Sequence, residues 1–151
     1  MAKSPGRFAV ASVRALDVVG GKAVMGTDIT NSRELIDAIR RGFPVTAITH
    51  ILESGRMTLA EIDEVILPRK TLSHRQKIGT LTAEQSDRLM RAAHLIAEAE
   101  ETFGSQEKAA KWLRRPTTAL GGEKPIALLD TTEGAHQVEL LLGRIAHGIA
   151  A

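Results

Sequence analysis

Three stretches punctuate this chain as helix starts: NSRE at 31–34, TLAE at 58–61 and TAEQ at 82–85. In each, a small polar residue stands three positions before a Glu or Gln, the spacing at which side chain and backbone satisfy one another's free N–H groups in the first turn. Each is followed by apolar residues recurring every three or four positions and then by a glycine or a proline. A chain punctuated in this way is expected to fold as a series of short helices.

The remaining elements follow from the same signals. NSRELIDAIRRG predicts a helix with Leu35, Ile36 and Ile39 inward and Gly42 as its stop, and FPVTAITHILESG a second one starting near Pro44 with Ile48, Ile51 and Leu52 at helical spacing. TLAEIDEVILP breaks before Pro68. TLSHRQKIG then reads as about two turns, capped by Thr71 and ending near Gly79. The longest helix opens at Thr82, with Leu89, Ala93, Ile96, Ala99 or Glu100, and Phe103 down one face, and ends at Gly104. Ser105 caps QEKAAKWLRR, a loop interrupts, IALL makes a short turn, and Thr132 starts a last helix striped by Val138, Leu141, Leu142, Ile145 and Ile149. Only RFAVASV, near the start, competes as a strand. The expected fold class is all-α.

Composition narrows the chemistry. With 151 residues, 43% of them hydrophobic, the chain buries a real core. Cysteine is absent, so there is no disulfide framework, thiolate nucleophile or cysteine-based zinc site, and a reducing cytoplasm is the natural location. No apolar run approaches the roughly 20 residues that cross a bilayer, which leaves a soluble, unexported protein as the expectation. The net charge is only +2, but its distribution is uneven. PRKTLSHRQK at 68–77 carries Arg69, Lys70, Arg75 and Lys77 and no acid, whereas 31–67 holds six acids against four bases. A basic island between acidic flanks suits a local anionic partner.

Two arrangements carry candidate function. TLAEIDEVI and TLSHRQK, two short helices joined by a tight turn with the second one basic, fit a helix-turn-helix that places Arg69, Lys70, Arg75 and Lys77 against phosphates or guanine edges, with Thr71, Ser73 and His74 adding polar contacts. A solvated charged face fits the same residues, and Ile66 stands where such motifs place a turn glycine. The second arrangement is WLRRPTTALGGEKP, with the only tryptophan of the chain. Arg114 and Arg115 suit a helix C-terminus, Pro116 ends it, and Gly121 and Gly122 permit a sharp turn. Neither double glycine has the lysine and hydroxyl spacing of a phosphate loop. The five histidines form no HExxH pair, and Glu98, Glu100 and Glu101 read as a solvated acidic edge, so no enzyme, metal site or cofactor is expected.

From Pro68 onward the ordered series TLSHRQ, LTAEQSDRLMR, FGSQEKAAKWL, RPTTALGGEKPIALL and TTEGAHQVELLLGRIAHG resembles the Xre/MbcA/ParS antitoxins, partners of RES-domain toxins. The resemblance extends over about residues 31–148. It implies an Xre-like helix-turn-helix region at 31–80 and a small helical toxin-binding domain at 81–151, after an N-terminal arm at 1–30 that matches nothing. Trp112, Leu113, Pro116, Leu120, Gly121, Gly122, Pro125, Thr131, Gly134, Val138, Leu142, Arg144, Ile145 and Gly148 match the motif of the toxin-binding part. The toxin-contacting set it implies is Trp112, Arg114, Arg115, Pro116, Leu120, Gly121, Gly122, Arg144, His147, Gly148 and the short end Ile149, Ala150 and Ala151, with Trp112 and the leucines mostly holding the fold. The implied partners are an NAD-consuming or ADP-ribosylating RES-domain toxin, blocked at its entrance, and operator DNA, bound as a homodimer within a larger toxin–antitoxin complex. A stand-alone helix-turn-helix regulator with no toxin partner is the competing expectation.

Overall fold

The computed structural model describes residues 8–148. A π-helical turn, Phe8–Ser12, runs into α1 (Val13–Val18) and α2 (Gly21–Met25). Then come α3 (Ser32–Arg41), α4 (Thr46–Glu53), α5 (Leu59–Val65), α6 (Arg69–Ile78) and the long α7 (Ala83–Phe103). After α8 (Gln106–Leu113) a 3-10 turn, Thr118–Leu120, and a 3-10 helix, Pro125–Asp130, lead into α9 (Thr132–Ala146). Among the described residues there is no strand, only an isolated antiparallel bridge between Pro44 and Thr80.

The capping signals form as the spacing predicts. Thr58 with Glu61 and Thr82 with Gln85 make reciprocal boxes, and Ser105 accepts from the Lys108 N–H at 3.1 Å. Asn31 does half of this. Its Oδ1 accepts from the Glu34 N–H at 2.9 Å, while the Glu34 carboxylate turns to Asn31 Nδ2 and Thr30 Oγ1, each at 2.7 Å.

Three expectations give way. The described part of RFAVASV is helical, not extended: Ser12, Ala15, Leu16, Val18 and Val19 are buried, four of them at the i, i+3, i+4, i+7 spacing of one helix face, and α1 packs along α7. In α3, Ile36 is exposed and Ala38 is buried, with Leu35 and Ile39 half-buried. Phe43, just past the helix, is fully buried. The helix α6 starts at Arg69 with Pro68 as its N-cap, so Thr71 lies inside the first turn rather than capping it.

Segment 42–45 is tied to 79–81. The Leu81 N–H donates to the Phe43 carbonyl at 2.8 Å and the Val45 N–H to Gly79 at 3.0 Å, while the Phe43 N–H donates to the buried Ser86 hydroxyl at 2.8 Å. Gly42 lies against the Leu81 carbonyl, where a Cβ would collide. These bonds hold the ends of α3 and α6 beside the start of α7. The axis of the molecule is α7, against which α1, α3, α8 and α9 all pack. Its buried stripe, including Leu89, Ala93, Ile96 and Ala99, joins residues from Ala15 to Leu142 in one continuous core. Each fully buried Ile or Leu there contributes about 1.5–3 kcal/mol. The helix α5 rests on the 3-10 helix Pro125–Asp130, so the basic helix that follows α5 is braced from the C-terminal part of the chain.

Candidate functional site

The α6 helix is anchored by one side chain. Leu72 is its only buried residue, and Arg69, Lys70, Ser73, His74, Gln76 and Lys77 are exposed. Its N-terminus is held by Asp63 of α5, whose carboxylate accepts from the Arg69 N–H at 2.8 Å. A negative charge in that position also suits the positive end of the helix. Thr71 is half-buried, Ser73 Oγ donates to the Arg69 carbonyl at 3.2 Å, and Arg75 Nε donates to the Thr80 carbonyl at 2.7 Å, which leaves the rest of the Arg75 guanidinium at the end of the helix. The turn needs no glycine. Ile66, at φ −105° and ψ −62°, is right-handed and, with Val65 and Leu67, buried beneath the two helices. The Asp63 cap escaped the sequence reading because its partner lies six residues away, across the turn.

The second region starts at the end of α8. Trp112 is half-buried, its ring 5.4 Å from that of Phe103 at 38°, so the indole fastens α8 to the end of α7. Arg114 grips Glu61 of α5 through two hydrogen bonds of 2.7 and 2.8 Å and is turned away from the loop surface. Burial pushes the Glu61 carboxyl up, but the hydrogen bonds from Arg114 and Thr58 outweigh it and hold it below the ordinary range; the same bond pushes the Arg114 guanidinium up. Arg115 and Pro116 are exposed. The loop closes on itself, the Thr117 N–H donating to the Glu123 carbonyl at 3.1 Å and the Gly122 N–H to the Thr117 carbonyl at 3.0 Å. Gly121 and Gly122, at φ +69° and +83°, make the turn with open space around both. Leu120 is half-buried and packs on the core, pinning the loop.

The exposed end of α9 carries Arg144, then His147 and Gly148. Ile149, Ala150 and Ala151 lie outside the described residues. The start of α9 is fixed by Gly134, where a Cβ would strike the Leu128 carbonyl, and by Arg91, which reaches the Leu129 and Asp130 carbonyls and the Thr132 hydroxyl, each at 3.4 Å.

The acidic edge expected at 98–101 is not simply solvated. Glu100 is bound by Arg56 at 2.7 and 3.0 Å and Glu101 pairs with Arg14. Glu98 is half-buried, and burial together with the nearby Glu139 carboxylate pushes it up to about 7. His94 is pushed down by burial, against the pull of Glu139.

Comparison with known proteins adds the family. The antitoxin Xre-like helix-turn-helix domain matches residues 34–94, and the antitoxin Xre/MbcA/ParS C-terminal toxin-binding domain matches residues 98–148. The chain is 38% identical to antitoxin Xre of Pseudomonas putida over 122 residues, 80% of this chain and 76% of the relative. It belongs to the Xre/MbcA/ParS antitoxin family. Antitoxin Xre of Yersinia enterocolitica is 33% identical over 128 residues, covering 83% of this chain and 86% of the relative. A Prs ADP-ribosylating antitoxin of Sphingobium is 38% identical over 80 residues, 47% of this chain and 50% of the relative. Both candidate regions fall inside the matched segments: α5 and α6 in the first, the 114–123 loop and α9 in the second. Among the described residues, no helix is long and apolar enough to cross a membrane.

Proposed function

We propose that this antitoxin neutralises a RES-domain toxin by covering the entrance to its NAD site, and that it represses its own operon through the helix-turn-helix of α5 and α6. The observation that carries the reading is the match of the toxin-binding domain to residues 98–148, within which the closed loop and the end of α9 stand exposed on a rigid support. Occlusion requires a shaped surface with apolar anchors and a polar rim rather than catalytic groups. Arg115, Pro116, Gly121, Gly122, Arg144, His147 and Gly148 are the exposed residues assigned to that surface, with Ile149, Ala150 and Ala151 beyond them. Trp112, Leu120 and Arg114 act by holding the loop in place. The relative named for ADP-ribosylation supports a toxin that uses NAD.

For DNA, the support is a basic helix anchored by a single leucine. Arg69, Lys70, Arg75 and Lys77 meet phosphates or guanine edges, Ser73 and His74 make polar base contacts, and Thr71 sets the first turn against the duplex. A homodimer reading a palindromic site is the matching assembly.

The experiment is to express the neighbouring reading frame alone and together with this chain while following cellular NAD and growth. NAD that falls with the neighbour alone and recovers on co-expression, with the two proteins copurifying, is the expected result. A harmless neighbour that does not copurify would reduce the function to a solitary DNA-binding regulator.

A further inference from the structure

Folding gathers positive charge that the sequence keeps apart. No Asp or Glu lies between Asp37 and Glu53, nor between Glu64 and Glu84. The first of these acid-free stretches carries Arg40 and Arg41, the second Arg69, Lys70, Arg75 and Lys77. The bonds between 42–45 and 79–81 bring the two together: Pro44 faces Thr80 in the antiparallel bridge, and Gly42 abuts the Leu81 carbonyl. Arg75 stands at the junction, its Nε donating to the Thr80 carbonyl at 2.7 Å. The last turn of α3 is thereby fixed beside the C-terminal end of α6.

None of these six cations has a carboxylate within 4 Å among the described residues, whereas Arg14, Arg33, Arg56, Arg88, Arg91 and Arg114 each pair with one. On α3 itself, Arg33 is paired with Asp37 at 3.4 Å, so the pairing stops one turn before the helix reaches the tie to 79–81. Arg40 and Arg41 are both exposed. Cations at a helix C-terminus gain a little from the helix dipole. That accounts for two arginines at the end of α3, but not for four more unneutralised cations held beside them. Positive charge concentrated on one surface without counter-charges is the footprint of a polyanion.

Helix geometry orders the patch. Lys70, Ser73, His74 and Lys77 stand at i, i+3, i+4 and i+7, one face of α6, turned away from the buried Leu72. From Lys70 to Lys77 that face rises about 10 Å, which fits a major groove roughly 12 Å wide. This inference rests on the DNA-binding reading of α6. With that face in the groove, a group past the C-terminal end of the helix meets the sugar–phosphate strand that bounds the groove, and Arg40 and Arg41 stand there. The base edges are taken up by α6, which leaves the two arginines the phosphates.

We propose that the last turn of α3 is a phosphate clamp, in which Arg40 and Arg41 hold the backbone strand flanking the major groove entered by α6, at a distance set by the tie between 42–45 and 79–81. The test is filter binding of duplex DNA from the promoter of its own operon, across a salt series, by the full chain. The variants are Arg40→Ala/Arg41→Ala, Arg40→Lys/Arg41→Lys, Lys70→Ala and the control Lys108→Ala. Lys108 is exposed and has no carboxylate partner among the described residues, but it lies on α8, past the other end of α7. The double alanine variant should lower the slope of log affinity against log salt by about 2 and weaken binding at least tenfold near about 0.1 M salt. The loss should be equal on an unrelated duplex of the same length, because phosphates carry no sequence. The double lysine variant should restore most of the slope, Lys108→Ala should change nothing, and the helical melt of every variant should match the wild type. A slope unchanged by the double alanine variant but lowered by Lys70→Ala would overturn the clamp and leave the reading of α6 standing. A slope lowered by neither, or a wild type that binds no duplex, would remove the DNA reading and the clamp with it. A double alanine variant that binds DNA normally but no longer neutralises the toxin would overturn the clamp by assigning the two arginines to the protein partner.

Discussion

Arg114, the residue just after α8, closes on Glu61 of α5 with Nε 2.8 Å from Oε2 and Nη2 2.7 Å from Oε1, and Nη2 also donates to the Arg56 carbonyl at 3.3 Å. Glu61 is itself the third position of the α5 capping box. One carboxylate therefore fixes both the first turn of α5 and the entry to the 114–123 loop, joining the two segments that match separate family domains.

Removing the guanidinium should consequently loosen both. Arg114→Ala leaves a half-buried carboxylate with only its capping bonds, and a loss of about 1–2 kcal/mol in urea unfolding at pH 7 is expected. Arg114→Lys should recover less than half of it, since an ammonium cannot make the two-point contact. The Glu61 carboxyl is held below its ordinary value, so this stabilisation is present above the unfolded value of 4.5 and is lost as pH falls through the lower folded one. The gap between wild type and Arg114→Ala should narrow below pH 4.5. A gap unchanged down to pH 3 would show that packing of the side-chain stem, not charge, holds the pair.

Two glycines of α9 make a contrasting pair. At Gly134 an added Cβ meets the Leu128 carbonyl, which belongs to the 3-10 helix beneath α9, and Gly134→Ala should cost about 1–3 kcal/mol as the two elements part. At Gly143, also within α9, nothing lies within 4 Å. Gly143→Ala should stabilise by about 0.5–1 kcal/mol through helix propensity alone. Thermal melts of the two variants moving in the same direction would contradict this account.

The helices were legible because their signals are local: a cap, a period and a stop lie within a dozen residues, and α5, α7, α8 and α9 follow them closely. What the sequence hid depends on partners distant in the chain. Ile36 reads as core by periodicity, yet it is exposed and Phe43, just past the helix, is buried. Thr71 reads as a cap, yet Asp63 reaches Arg69 across the turn. Arg114 reads as a cation suited to a helix C-terminus and to the toxin surface, yet its carboxylate partner is 53 residues earlier. Glu98 reads as part of a solvated edge because nothing nearby in sequence shows that α9 will bring Glu139 beside it.

Glu98 yields a pH prediction of the opposite sign to that of Glu61. Its folded value, about 7, is raised above the ordinary 4.5, so its contribution to stability is fully present below pH 4.5 and lost as pH rises through 7. Glu98→Gln should match the wild type near pH 4 and exceed it by about 1–2 kcal/mol at pH 8, after allowance for solvent screening. Chemical denaturation at the two pH values measures the difference directly. A wild type that stays level with Glu98→Gln at pH 8 would mean that the carboxylate ionises there without penalty.

On α6, exposed cations and the tethered one should behave differently in DNA binding. Under the proposed DNA reading, Lys70→Ala removes one solvated phosphate partner, so the slope of log affinity against log salt should fall by about 1 with little change in sequence preference. Arg75→Glu places a carboxylate beside the Thr80 carbonyl and the duplex, and should weaken promoter binding at least tenfold while toxin neutralisation persists. Filter binding across a salt series distinguishes them, and normal promoter affinity for Arg75→Glu at every salt concentration would remove α6 as the reading helix.

Truncation after Arg144 makes the complementary separation. Beyond that point Ile145 is half-buried and residues 146–148 are exposed, so the core formed by Val138, Leu141 and Leu142 stays in place and the melting temperature should fall by only a few degrees. The lost residues include His147, Gly148 and the terminal Ile149, Ala150 and Ala151, all assigned to the toxin surface. Cells co-expressing the toxin and the truncated chain should therefore lose NAD almost as fast as cells expressing the toxin alone, while promoter binding stays within about threefold of wild type. Equal loss of both activities, together with a collapsed melt, would instead assign the last turn of α9 to folding and return the toxin surface to the 114–123 loop.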